Sequence, residues 1–182
     1  MKKNDVRQSK FLSKVLRHTP EKIGIRLDKN GWVGVEELLD ACRKHGVLLD
    51  RETLVRIVET NDKQRFAFSE DGQKIRANQG HSVPIDLNLE PIEPPERLYH
   101  GTADRFFPSI RKKGLIKGNR HHVHLSKNPI TARQVGKRHG NPVILQVLAR
   151  EMYQDGYTFF KSANGIWLTE FVPVCYLREY MQ

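Results

Sequence analysis

Apolar residues at positions 6, 11, 12, 15 and 16 fall on one side of a helix, so the pattern predicts a helix over residues 6–16 with Asp5 as its N-cap. The proline of Arg17-His18-Thr19-Pro20 pushes Thr19 out of helical geometry and ends it. Arg17 and His18 are left at a helix C-terminus, where carbonyl ends favour cationic side chains. Ile23, Ile25 and Leu27 alternate as in a strand, and the turn Lys29-Asn30-Gly31 leads to Trp32-Val33. Residues 36–45 carry an amphipathic pattern with Leu38, Leu39 and Cys42 inward and Gly46 as the stop, and Asp50 caps a third helix that faces the core with Leu54, Ile57 and Val58. Residues 65–68 and 73–77 bracket the turn Ser69-Glu70-Asp71-Gly72 as a hairpin. Helix, strand, helix, helix, hairpin is the order of a winged-helix module.

Alternation in the hairpin sends Arg65 to the face opposite Phe66. The hairpin runs into Arg76-Ala77-Asn78-Gln79-Gly80-His81-Ser82, dense in hydrogen-bond donors and bent at a glycine, the makeup of a loop that grips phosphate. Its candidate contacts are Arg76, Gln79, His81 and Ser82. Residues 83–96 hold prolines 84, 91, 94 and 95 with Asp86, Glu90, Glu93 and Glu96, and read as an extended acidic linker between domains at 1–82 and 97–182.

Beyond the linker, Leu98 and Tyr99 read as the end of a strand, and Gly101 then permits a turn or a close ligand approach, which leaves His100 at a strand mouth. A second strand, His121-His122-Val123-His124-Leu125-Ser126, and a third, Ile166-Trp167-Leu168-Thr169, supply further ends for one cleft. Asp104 is placed to cap a helix that Gly114 ends, and Asn128-Pro129 opens another whose last turn delivers Lys137, Arg138 and His139 before Gly140. Residues 143–148 are almost continuously apolar, as in a central strand, and 171–177 form the last strand.

Composition narrows the function classes. With 182 residues, 38% hydrophobic and 29% charged, the chain suits a globular protein of one large domain or two small ones, and its mixed helix and strand patterns are those of an α+β fold. No apolar run approaches the ~20 residues that span a bilayer, and the first residues lack the apolar core of a signal peptide, so a cytoplasmic protein without membrane contact is expected, and a monomer is the expected state. Cys42 and Cys175 stand far apart, which indicates neither a disulfide framework nor a zinc cluster. The net charge of +10 favours a polyanionic partner, and its excess lies in the second half: residues 1–90 carry 17 Lys/Arg against 14 Asp/Glu, residues 91–182 carry 14 against 7. Nucleotide fingerprints, phosphate-loop lysines and metalloprotease histidine pairs are absent from the sequence. His122 and His124 share a strand face while His121 points away, and no acidic or cysteine ligand stands nearby, so no metal is expected. The candidate reactive groups are cations and neutral donors, namely Arg17, His18, Arg65, Arg76, His81, His100, His124 and Arg138; arginine forks of this kind suit phosphate handled without a metal.

Seven segments in order resemble one family: Leu12-Ser13-Lys14-Val15-Leu16-Arg17-His18, Arg65-Phe66, Ile75-Arg76-Ala77-Asn78-Gln79-Gly80-His81-Ser82, Leu98-Tyr99-His100-Gly101-Thr102, His124-Leu125-Ser126, Val135-Gly136-Lys137-Arg138-His139-Gly140 and Asn164-Gly165-Ile166-Trp167-Leu168-Thr169. Together they resemble the NAD-dependent RNA 2′-phosphotransferases. The resemblance implies a winged-helix RNA-binding lobe followed by a lobe of ADP-ribosyltransferase fold with a split antiparallel β core. It implies an activity on 2′-phosphorylated RNA such as a spliced tRNA. In the chemistry it implies, the 2′-phosphate attacks the anomeric carbon of the nicotinamide ribose of NAD, expelling nicotinamide and giving an RNA phospho-ADP-ribose intermediate. The ribose 2″-hydroxyl then attacks phosphorus, freeing 2′-hydroxyl RNA and ADP-ribose 1″,2″-cyclic phosphate.

The same resemblance assigns Arg17, His18, Arg65 and Arg138 as catalytic, one phosphate being gripped by arginines of both lobes. It assigns His100, Gly101, Thr102, His124 and Ser126 to NAD, with Ile166 at the place where many ADP-ribosyltransferases carry a glutamate. Lys137 and His139, beside Arg138, are counted with the RNA contacts. A phosphate acceptor is already a charged nucleophile, so the missing glutamate fits RNA better than protein modification. The alternatives are an ADP-ribosyltransferase that caps terminal phosphates of nucleic acid, and a winged-helix regulator without enzymatic activity.

Overall fold

The computed structural model describes residues 3–181. The chain forms mixed helix and antiparallel sheet in two compact units, one ending at Asn88 and the other beginning at Leu89. The first contains helices α1 (Lys3–Val15), α2 (Val35–Lys44) and α3 (Arg51–Glu59) and strands β1 (Val33–Gly34), β2 (Phe66–Phe68) and β3 (Lys74–Ala77). The strands form one sheet in the order β1-β3-β2. The register Phe66↔Ala77 and Phe68↔Ile75 puts these four side chains on one face, where Phe66, Ile75 and Ala77 join Leu12, Leu16, Leu38, Leu54 and Ile57 in a single core. Asp50 caps α3, its carboxylate accepting from the Thr53 amide at 2.7 Å.

Two expectations for this unit fail. Asp5 does not cap α1: the helix already includes Lys3, and Asp5 is buried in its first turn against Arg56 of α3, with Nη2 to Oδ1 at 3.3 Å. A tertiary ion pair has claimed a residue type that also suits caps. Residues 23–27 form no strand. Pro20–Ile23 is a 3₁₀ turn closed by Gly24 at φ +72, and Ile23 and Ile25 are buried by the core without any strand partner. Alternation there recorded burial of irregular chain.

The second unit contains strands β4 (Leu98–Ala103), β5 (Leu115–Ile116), β6 (Val123–Leu125), β7 (Pro142–Val147), β8 (Phe159–Lys161), β9 (Trp167–Thr169), β10 (Phe171–Val172) and β11 (Leu177–Glu179), with helices α4 (Phe107–Lys113), α5 (Pro129–Gly136) and α6 (Ala149–Gln154). Two antiparallel sheets, β11-β7-β4 and β6-β9-β8, meet at one reciprocal pair in which the amides of Tyr99 and Ser126 each donate to the other's carbonyl at 2.8 Å. Leu98, Val123, Leu125, Leu145, Val147, Met152 and Phe159 fill the core beneath them. The apolar run at 143–148 does form the middle strand of its sheet.

Here too the sequence expectations need correction. β4 does not end at Tyr99; it stays paired with β7 as far as Ala103↔Pro142, so His100 lies in mid-strand. Gly101 makes no turn. A Cβ on it would lie 1.7 Å from the Ala132 carbonyl oxygen of α5, and one on Gly136 would lie 2.6 Å from the Thr102 oxygen. Both glycines let α5 rest with its backbone on that of β4. Asp104 starts a 3₁₀ turn, Asp104–Phe106, instead of capping α4 directly, and its carboxylate accepts from the Arg105 amide at 2.7 Å. The expected strand at 171–177 is interrupted by Pro173, with β10 before it, a 3₁₀ turn Val174–Tyr176 after it, and β11 beyond.

Candidate active site

In the first unit, the chain from Asn78 to Val83 is bonded at both ends to candidate residues. The Asn78 amide donates to the Arg65 carbonyl at 2.9 Å, and the Ser82 and Val83 amides donate to the Arg17 carbonyl at 2.9 and 3.3 Å. His18 reaches across to Ser82, Nδ1 to Oγ 2.9 Å. Gly80 turns at φ +86, and an added Cβ would lie 3.7 Å from Arg17 Nη1, so the Arg17 guanidinium packs against this glycine. Arg17, His18, Gly80 and Ser82 thus form one cluster just beyond α1.

Arg65 is held by a buried polar relay that sequence patterns did not reveal. Its Nη1 donates to Asn61 Oδ1 at 2.9 Å, and Asn61 Nδ2 donates to Ser9 Oγ at 3.0 Å, with both Asn61 and Ser9 buried. The residue before it, Gln64, takes the uncommon φ of +41, and the buried Asn78 fixes that conformation by donating from Nδ2 to the Gln64 carbonyl at 2.5 Å. Burial lowers the Arg65 pKa, against a smaller raising effect from Asp62. An arginine stays cationic regardless, so the result is a poorly hydrated charge suited to an anion.

The remaining predicted phosphate contacts are Arg76, Gln79 and His81. Arg76 sits in β3, its guanidinium 4.5 Å from the Trp32 ring centre and its Nη1 donating to Asn30 O at 3.4 Å. His81 is buried, with Nε2 facing Gly31. Gln79 is half-buried beside Gly80.

In the second unit the candidates gather where the two sheets meet. His100 Nδ1 lies 3.0 Å from the His124 carbonyl. A carbonyl only accepts, so the proton sits on Nδ1 and the neutral ring presents Nε2 as an acceptor. Burial is the main reason the His100 pKa falls; the His124 bond opposes it, and the charges of Arg120 and His139 add to it. Ile166 follows from the strand register: one step beyond Leu125↔Trp167 it stands beside Ser126, its amide bonded to Ser162 Oγ at 3.1 Å. The Ser126 hydroxyl donates to the Asn128 carbonyl and accepts from the Asn128 amide, which ties β6 to the start of α5. Gly101 and Thr102 are buried under α5. His100, His124, Ser126 and Ile166 are therefore brought together, while Gly101 and Thr102 serve the packing that holds them.

α5 stops at Gly136, one turn earlier than expected. Lys137, Arg138 and His139 continue as an exposed turn, with the Arg138 amide donating to Val135 O at 3.2 Å and that of His139 to Gly136 O at 2.9 Å. The turn is pinned to the end of β4, since the Asp104 amide donates to Asn141 O at 2.9 Å. Among the described residues no group of three His, Cys, Asp or Glu is placed to hold a metal ion, and no helix is long and apolar enough to cross a membrane.

Comparison with known proteins places this geometry in context. Residues 3–171 match the family model described as RNA 2′-phosphotransferase, Tpt1 / KptA family. A protein of Trichormus variabilis named "Probable RNA 2′-phosphotransferase" is 57% identical over 173 residues, 95% of each chain. Proteins of the same name from Flavobacterium johnsoniae and Pseudomonas aeruginosa are 56% and 53% identical, covering 93% and 94% of each chain.

Proposed function

The chain belongs to the RNA 2′-phosphotransferase family, and from that premise we propose that it removes an internal 2′-phosphate from RNA, as at a tRNA splice junction, by transferring it to NAD in two steps. The observation that supports this most is that one family model spans both units, with the motif residues of each gathered: Arg17, His18 and Ser82 in the first, His100, His124 and Ser126 in the second. NAD supplies an electrophilic ribose carbon with nicotinamide as leaving group, and ends as ADP-ribose 1″,2″-cyclic phosphate after passing through an RNA phospho-ADP-ribose adduct. His100 would hold it through the Nε2 acceptor, which suits a ribose hydroxyl donor. The charges of Arg120 and His139, which His100 feels, suit the anionic diphosphate.

Arg17 and Arg65 bind the phosphate, and Arg138, exposed in its turn, supplies a further cationic donor for the reaction. In the first step a phosphate dianion attacks a sugar carbon, so anionic charge is consumed, and a cation binds the ground state as well as the transition state. Such uniform binding adds affinity and little rate. In the second step a hydroxyl adds to a phosphodiester and charge builds on the non-bridging oxygens, where a fixed cationic donor contributes ~3 kcal/mol, roughly two orders of magnitude in rate. His18, oriented by Ser82, moves a proton between the attacking hydroxyl and the departing RNA 2′-oxygen, a task suited to an imidazole near neutral pH.

The test is incubation with NAD and an oligonucleotide carrying one internal 2′-phosphate, in the presence of a metal chelator. Nicotinamide, ADP-ribose cyclic phosphate and 2′-hydroxyl RNA should appear in equal amounts. Release of inorganic phosphate with NAD left intact would overturn the proposal.

A further inference from the structure

From Arg105 to Arg150 the sequence holds eleven Lys/Arg and four His, and not one Asp or Glu. Much of this charge stands on one continuous strip of the second unit. Arg111, Lys112 and Lys113 form the exposed last turn of α4, and Arg105 and Arg111 lie 4.7 and 5.8 Å from the rings of Phe106 and Phe107. Gly114 at φ +75 then seats the chain on Phe171, where a Cβ would lie 3.2 Å from the ring, and β5 pairs Ile116 with Phe171. The next residue, Lys117, opens a groove of ≈ 760 Å³ that Phe171 also lines, together with Arg120, His122, Tyr157 and Phe160.

The groove is walled by rings and edged by cations. His122 meets Phe160 edge to face at 5.4 Å. Burial first, then the charges of His121 and Lys117, lower the His122 pKa, so its ring adds a neutral surface to the wall. The carboxylate lining it is Glu170, which Lys117 Nζ reaches at 2.9 Å in an exposed and exchangeable pair. Among the described residues, Arg105, Arg111, Lys112, Lys113 and Arg120 enter no ion pair. Flat rings interleaved with unneutralised cations are what a single nucleic-acid strand takes, its bases stacking and its phosphates on the charges.

We propose that this ridge and groove form a second RNA contact, a track for the strand that flanks the 2′-phosphate, with phosphates on Arg111, Lys112, Lys113 and Lys117 and bases against the groove's rings. The inference rests on the reading that the substrate is RNA. Arg120 links the two places, since it lines the groove and its charge is felt at His100.

The experiment measures direct binding of a 20-nucleotide single-stranded RNA and of a 2′-phosphorylated dinucleotide, without NAD, together with turnover of the dinucleotide. Lys112→Glu/Lys113→Glu should weaken the long RNA about tenfold or more and flatten its salt dependence by roughly 0.7 logarithmic units per lost phosphate contact. Dinucleotide affinity and turnover should stay within about twofold of the parent, a comparison that any folding defect would break. Glu170→Gln should move the other way, tightening the long RNA a few-fold by releasing Lys117, and more than the control Glu179→Gln, which removes the same charge on β11. Unchanged long-RNA binding in the lysine variant overturns the track, as does equal loss of long and short substrates, or equal tightening by both glutamine variants. Absent dinucleotide turnover in the parent would instead overturn the proposed reaction, with the binding data still deciding the track.

Discussion

The two units fix their candidate groups by different means. The first does it with hydrogen bonds: segment 78–83 is bonded to the backbones of Arg65 and Arg17, and Arg65 leans on Asn61 and Ser9. The second does it with packing: His100 is set in mid-strand, and two glycines let α5 lie directly on β4. On the proposed roles, the difference follows from the charge each must present. A phosphate-binding guanidinium has to remain accessible, so it is aimed by polar bonds, whereas a neutral imidazole acceptor can be buried and held by sterics. Loss of charge should therefore be the vulnerability of the first, and loss of fit or of neutrality that of the second.

The largest effect expected is on turnover. His18→Ala, Arg65→Ala and Arg138→Ala should each lower the overall rate by about two orders of magnitude, and should slow the second step more than the first. Labelled RNA in single-turnover runs should then accumulate as the phospho-ADP-ribose adduct. If all three variants show only substrate and final product at every time, the assignment of these groups to the second step is wrong.

Next in size is a steric test. Gly101→Ala drives a methyl into the Ala132 carbonyl and should cost about 2 kcal/mol, read as a lower denaturation midpoint. Gly24→Ala, in the first unit, meets no atom within 4 Å and breaks only a φ of +72, so about 1 kcal/mol is expected. Similar costs for the two would contradict the packing role of Gly101.

The smallest effect concerns pH. Burial favours neutral His100 in the fold, so the folded state resists a proton that the unfolded chain accepts below about pH 6.5. The contribution is absent above that pH. It becomes an increasing loss of stability as pH falls from 6.5 to the folded pKa, then levels off, at ~1.4 kcal/mol for each pKa unit of depression. His100→Gln should flatten this part of the stability profile. An unaltered profile between pH 7 and 5 would show that His100 does not titrate as its burial implies.

The contrast also explains what the sequence could disclose. Elements stabilised by their own periodicity and caps, such as α2, the Asp50-capped α3, the β2–β3 hairpin and the apolar β7, were legible. The alternating Ile23 and Ile25 misled because burial without a partner strand leaves the same pattern. Short β5, β8 and α6 went unseen because they are too brief for a period, and β5 is paired with a strand distant in sequence. At the site, residue identities were legible through motif resemblance, but geometry was not. Gly101 looked like a turn and proved to be a contact face for α5. Asn61 drew no reading and Asn78 was read only as part of the donor-rich loop, although their burial beside Arg65 and Gln64 is what aims the cation; an asparagine after the third helix and another just past the hairpin were the signs.

The proposed division between a phosphate-binding first unit and a nucleotide-binding second unit is tested most directly by two affinities measured on two variants. For Arg17→Ala, affinity for 2′-phosphorylated RNA should fall at least tenfold while NAD affinity stays within about twofold of the parent. For His100→Ala the pattern should invert, with NAD weakened and RNA affinity kept. If either variant loses both affinities to the same extent while remaining folded, the two units do not divide the work in this way.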